Sequence, residues 1–474
     1  MPCLEVDHGL RRPQDRGRSI ARLHTARVPH DRSMQPGPSV VPPLFGRIAD
    51  VSPQAPNAPH RSDRRYHGLD YLRGFMIVVV VIAHVVMQYQ TMPAAERLVS
   101  IEGIGQVYRD PDRTVVADRI YQVARASVNP MLFLIAGFSW AFLLKRKGLR
   151  SIVWSRTTRI LIPLVVGWLI AFPLFRYVFA LGNEIMLAAE GEASLAAAVA
   201  ATPITPCLPF ASDVFYLAQF WFLYYLLLFY VASMGLVLWL DRPAGPLRQR
   251  LRNLQAAILV GDLRWMRLPM LVGLSMLATF GDQTAELEIA HGRLPDPATF
   301  SAHYVFFLAG WMFALHPEIF GDLDRRAGCR FIFGLLLAIF LVAPIGENHT
   351  RATAQTDFWL GSSSFQLAVY WLVHAISTWM LLLGMLGLAE RWFPRIDPKF
   401  AYLAEASFWI YLAHGPIAVF IPLVLHNWPV DADFKMWIST VIVLAICFAS
   451  YHLLVRRTVI GRALRGQYRR SPRT

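Results

Sequence analysis

Long apolar runs alternate along the chain with gaps that differ in charge. Spanning a bilayer takes about 20 consecutive apolar residues in a helix. Runs near that length predict helices at 75–92, 128–144, 158–180, 214–240, 268–281, 302–316, 331–345, 366–389, 403–427 and 435–455. The fifth is short for a span and reads as tilted, extended or broken. Every second gap is basic. Lys145, Arg146 and Lys147 follow the second run, Arg248, Arg250 and Arg252 the fourth, Arg325, Arg326 and Arg330 the sixth, and Arg391, Arg395 and Lys399 the eighth. The other gaps are poor in Lys and Arg, or balance them with acids, as in 93–127. Because Lys and Arg collect in cytoplasmic loops, the pattern predicts an all-α, polytopic transmembrane bundle of about ten helices with both termini cytoplasmic.

Composition agrees. The 474 residues are 55% hydrophobic and 16% charged, against about a quarter charged in soluble domains. That excludes a string of soluble domains and makes the lipid bilayer the first partner. The net charge of +14 follows from the basic loops and does not call for nucleic acid. Cys3, Cys207, Cys329 and Cys447 are scattered without metal-like spacing, so neither a metal site nor a disulfide framework is expected. Residues 1–66 are rich in Arg, Pro and Ser with no apolar period. They read as a disordered basic cytoplasmic tail, or as an over-long start with Met34 as an alternative initiator. Residues 67–458 form the transmembrane domain, and 459–474 a basic cytoplasmic tail. No fixed internal period is present, which argues against an inverted-repeat transporter.

Few residues carry chemistry in so apolar a chain. His84 interrupts the run Phe75–Val86, and an ionisable group inside a span is a functional candidate. Arg73 lies eleven residues before it, about 16 Å of helical rise and on the same face. Asp70 is one turn before Arg73. The stripe reads as one line from a charged mouth to mid-membrane, with a passage joining its ends. A neutral imidazole there suits a general base, while Arg73 offers a fork for phosphates or a carboxylate, which Asp70 orients or neutralises. Arg156 and Arg159 share a face at the start of the third predicted helix and extend the basic mouth. Arg176 sits in Phe-Pro-Leu-Phe-Arg-Tyr and reads either as an acceptor or acyl-carboxylate site or as half of an internal ion pair. His414 reads as packing beside the Pro416 kink. His303 and His374 lie in outer halves of spans. No Walker loop, GxGxxG, HExxH, CxxC or GxSxG occurs in a usable context.

Leu69-Asp70-Tyr71-Leu72-Arg73-Gly74, with His84 beyond it, resembles the first helix of the integral-membrane acyltransferase type 3 family. Arg156-Thr-Thr-Arg159-Ile-Leu-Ile-Pro163 resembles that family's second basic motif, and Ser407–Pro416 its Ser-x-x-Ile-Tyr-Leu-x-His-x-Pro helix. Gln219-Phe-Trp-Phe-Leu223 resembles its His-x-Trp-Phe-Leu box, with Gln219 where a His is usual. The resemblance covers roughly 66–458. It implies His84 and Arg73 as essential, acyl-CoA as co-substrate with no bound cofactor, and a hydroxyl acceptor on an extracytoplasmic carbohydrate. Within the family the chain most resembles the glucan biosynthesis protein C branch, which succinylates periplasmic glucans. That implies a multi-pass protein of the bacterial inner membrane. The competing readings are a transporter or flippase for an anionic metabolite or lipid-linked sugar, with Arg73, Arg156 and Arg159 as its anion site, and a sensor without chemistry.

Overall fold

Four helix starts are set by one polar side chain each. Thr114 Oγ1 accepts from Val116 N at 3.2 Å, Asp296 from Thr299 N at 2.7 Å, Asp397 from Lys399 N at 2.8 Å and Asp431 from Asp433 N at 2.8 Å. Such caps satisfy amides that have no partner within the helix. Pro297 and Pro398 occupy the first turn, where a missing N–H costs nothing.

The computed structural model describes residues 66–91, 100–101, 105–106, 108–187, 195–202, 216–240, 246–280, 294–346, 361–393, 395, 397–458 and 461. The two predicted tails, apart from Tyr66 and Gly461, lie outside the described residues, as do Cys3, Cys207 and Met34. The described helices are α1 His67–Val86, α2 Val115–Arg156, α3 Ile162–Leu187, α4 Leu195–Ala201, α5 Trp221–Leu240, α6 Pro246–Leu259, α7 Arg267–Ala278, α8 Pro297–Leu315, α9 Ile319–Leu323, α10 Ala327–Leu337, α11 Gly361–Trp392, α12 Pro398–Val424 and α13 Ala432–Ser450. Extended pairing among the described residues is one antiparallel rung, Ser100–Ile101 with Gly105–Gln106. The chain is an all-α polytopic helix bundle.

Nine described stretches are long and apolar enough to cross a membrane: His67–Tyr89, Val115–Leu144, Ile152–Leu187, Ala218–Val237, Pro297–Leu315, Ile319–Gly346, Phe365–Trp392, Pro398–Val424 and Ala432–Val455. The fifth predicted run is helical but only 12 residues long, Arg267–Ala278, a rise of about 18 Å against a hydrocarbon core of about 30 Å. It is tied down by Trp379 Nε1 donating to Ser275 Oγ at 2.9 Å and by an Arg267–Asp322 ion pair at 2.9 Å. Side chains such as Ile170, Phe340, Val441 and Leu453 are exposed along the spans, the outward apolar face a bilayer requires.

Two differences from the sequence pattern matter. The second helix begins at Val115, not near 128. Its first turns carry Asp118, Gln122, Arg125 and Asn129 on one face, and such a polar stripe reads as a loop until something buries it. A basic loop was expected after the fourth run, but α6 is an amphipathic helix with Leu251 and Leu254 exposed.

Helices α2 and α8 pack at their closest through two glycines. A Cβ at Gly137 would collide with the Phe307 carbonyl, and one at Gly310 with the Leu134 carbonyl. Small residues at a crossing let two backbones touch, the usual way membrane helices associate. α1 packs on α12, α2 and α11, which places its His84 stripe in the interior.

Candidate functional site

His84 stands in the last turn of α1. Its Nδ1 donates to the Val80 carbonyl at 2.8 Å. A carbonyl can only accept, so the proton sits on Nδ1 and the Nε2 lone pair is left for other work. The ring meets His414 of α12 edge to face, with centroids 4.9 Å apart. His414 is fully buried and donates Nδ1 to the Tyr411 carbonyl at 2.8 Å. It packs behind the catalytic candidate and is absent from the cavity wall.

That cavity has a volume of about 210 Å³. Its wall comes from α1, α2, α3, α5, α8, α11 and α12, with His84, Gln88, Arg125, Gln219, His303 and His374 among its polar members. No Asp or Glu lines it. Arg125 lies within electrostatic reach of both His303 and His374, and His303 Nδ1 donates to the Thr299 carbonyl at 2.8 Å. Phe133 and Trp221 flank His303 at 5.2 and 5.7 Å between ring centroids. The chamber is thus an aromatic and aliphatic shell with proton acceptors and one guanidinium facing in.

The wall bends sharply between α3 and α5. Ala218 has φ 48°, the only positive φ of a non-glycine among the described residues. An L-residue pays about 1–2 kcal/mol to sit there, and neighbours hold it in place. Trp168 Nε1 donates to the Tyr216 carbonyl at 2.8 Å, and the Tyr411 hydroxyl donates to the Gln219 carbonyl. The bend turns the Gln219 side chain toward α12, where Nε2 donates to the Leu412 carbonyl at 3.2 Å.

A second group gathers at the opposite end of α1. Arg73 pairs with Asp70 at 3.7 Å and donates Nη2 to the Ala404 carbonyl at 3.2 Å. Arg159 lies within electrostatic reach of Arg156 and Arg73. It sits in a π turn, Thr157–Leu161, that joins α2 to α3, a distortion frequent at functional sites. The Arg156 guanidinium lies 4.9 Å over the Tyr230 ring, and its buried Nε and Nη2 find no acceptor among the described residues. Unmet donors on Arg156, with two further guanidinium groups close by, are of the kind an anion can satisfy.

The structure therefore brings Arg73, Arg156 and Arg159 together at one end of α1 and puts His84 on a cavity near the other. None of the three arginines lines that cavity. Met76 and Ile77, both buried, lie along α1 between Arg73 and His84. Asp70 is about 21 Å of helical rise from His84, so it acts on Arg73 and does not touch the imidazole. Arg176 is half-buried on α3 and outside the cavity wall. The pattern misses Tyr121 and Arg125, which lie in the helix start that it reads as loop, and does not single out Asn129 at the edge of the predicted run. The i, i+4, i+7, i+11 spacing of Asp118, Gln122, Arg125 and Asn129 was the available signal.

Residues 66–453 match the acyltransferase domain that defines the acyltransferase type 3 family. The match spans most of the chain, and the chain belongs to that family of membrane acyltransferases. No curated protein matches it, and no solved structure does.

Proposed function

We propose, from that membership, that the chain moves an acyl group from acyl-CoA to a hydroxyl of an extracytoplasmic carbohydrate. With the start of α1 at the cytoplasmic face, Arg73, Arg156 and Arg159 face the compartment that holds acyl-CoA and take its phosphates, Asp70 steadying Arg73. His84 Nε2 removes the proton from the acceptor hydroxyl as that oxygen attacks the thioester carbon. The C–O bond forms, the C–S bond breaks, and the imidazolium returns the proton to the departing CoA sulfur. The acyl group is acetyl or succinyl. The succinyl choice, a periplasmic glucan as acceptor and the bacterial inner membrane rest on the likeness to the glucan biosynthesis protein C branch.

One observation carries the reading: an imidazole that lines a cavity and whose Nδ1 proton is committed to Val80, leaving the Nε2 lone pair for another partner. The test is transfer of radiolabelled acetyl-CoA or succinyl-CoA to purified glucans by the protein in nanodiscs. His84→Ala is expected to lose at least about 100-fold in rate while still binding CoA. Solute uptake by proteoliposomes with no labelled glycan would instead support an anion or lipid-linked sugar transporter.

A further inference from the structure

Buried polar atoms in proteins have partners, and one without any, on a residue that lines a cavity, marks where a ligand can complete the bonding. Gln219 Oε1 is such an atom. The residue is 5% exposed and lies in the cavity wall that also holds His84. Its Nε2 donates to the Leu412 carbonyl. Since that carbonyl can only accept, the bond decides which end of the amide is nitrogen and which is oxygen. The oxygen has no hydrogen-bond partner among the described residues. It occupies room that exists because position 415 is glycine, where a Cβ would come within 2.6 Å of it. The strained Ala218 backbone beside it shows that the fold holds this side chain in place.

An acceptor oxygen with no donor calls for an O–H or N–H. His84 Nε2, on the same wall, is also an acceptor. One hydroxyl carries one proton and cannot serve both. We infer that Gln219 Oε1 and His84 Nε2 take two different hydroxyls of one substrate, so that the cavity selects a polyol and Gln219 reads the hydroxyl that is not acylated. This rests on the proposed acyl transfer to a carbohydrate and names how the acceptor is chosen. Gln219 touches substrate without moving a proton and acts as a specificity residue. A buried site built to hydrogen-bond a hydroxyl rejects the analogue that lacks it far more sharply than an apolar pocket can.

The test uses methyl β-glucoside and its 2-, 3-, 4- and 6-monodeoxy derivatives as acceptors, radiolabelled acetyl-CoA and succinyl-CoA as donors, and the full chain in nanodiscs. On the wild type, removal of the acylated hydroxyl abolishes transfer. Removal of a second one lowers kcat/KM about tenfold or more. In Gln219→Met that second penalty disappears, while CoA binding stays unchanged. Gln219→Glu keeps the oxygen and retains the penalty. Equal penalties in wild type and Gln219→Met overturn the assignment. So does a wild type for which only the acylated hydroxyl matters, a result that needs no variant to fold. Absence of transfer to any of the parent glycosides by the wild type overturns acyl transfer to carbohydrate itself, and this subsite with it.

Discussion

The two ends of α1 treat charge in opposite ways. Beyond its last turn, Lys435 Nζ lies 2.9 Å from Asp110 Oδ1 and 3.0 Å from Asp112 Oδ2, and it donates to the His426 carbonyl at 3.4 Å. The Lys435 and Asp110 side chains are both 0% exposed. The Tyr108 hydroxyl donates to Asp110 Oδ2 at 3.3 Å, and Arg109 Nη2 to the Gln90 carbonyl at 2.8 Å. Lys435 meets two carboxylates and a carbonyl, and these contacts pin the segment before α2 onto α13. At the other end, Arg73, Arg156 and Arg159 crowd together with only Asp70 shown paired among them. Lys435 and its two carboxylates are matched within the fold; the arginine group is the one that, on the proposed reading, an anion completes. On that reading matched buried charge serves the fold, and charge left unmatched serves binding.

That contrast can be broken at either end. The largest effect on stability is expected from Lys435→Met, which leaves Asp110 buried and alone. Losing one partner of a buried pair costs about 3–5 kcal/mol, read as a lower thermal unfolding midpoint. Burial lifts the Asp110 carboxyl above the usual carboxylate range, and Lys435 draws it back down. Without the lysine the folded carboxyl holds its proton to higher pH than the unfolded one. The variant is then most stable under acid and loses stability as pH rises through the lifted pKa. A midpoint independent of pH would contradict this. Arg156→Gln sharpens the other side of the comparison. CoA affinity is expected to fall about 10- to 100-fold by calorimetric titration, with the unfolding midpoint falling far less than in Lys435→Met, because no protein acceptor loses its donor and only the contact over the Tyr230 ring is lost. Arg73→Gln should be the mildest. Its side chain is 44% exposed, so solvent and salt screen it, and a few-fold loss of CoA affinity that vanishes in high salt is expected.

The chamber wall was harder to read than the mouth for a definite reason. Arg73, Arg156 and Arg159 stand in or beside two short motifs, and like charges at a span end announce themselves by sign alone. Gln219 and Arg125 carry no such mark. Gln219 sits in an aromatic run that reads as an interfacial belt, and Arg125 in a stretch whose polar stripe looks solvated. Both became site residues only when seven helices closed around them. The Arg73–His84 stripe has the spacing of one helix face, yet helical spacing cannot tell whether a passage joins its ends.

The order and extent of the apolar runs determined that the chain is a membrane helix bundle. In lipid the backbone must satisfy itself within each segment, so composition over about 20 residues suffices. Which polar atoms stay unpaired depends on what folds against them from hundreds of residues away. The Leu412 carbonyl leaves Gln219 with a free oxygen, the Val80 carbonyl leaves His84 with a free Nε2, and Asp110 leaves Lys435 with nothing to bind. Those pairings, and with them the line between structural and functional charge, were decided by tertiary packing alone.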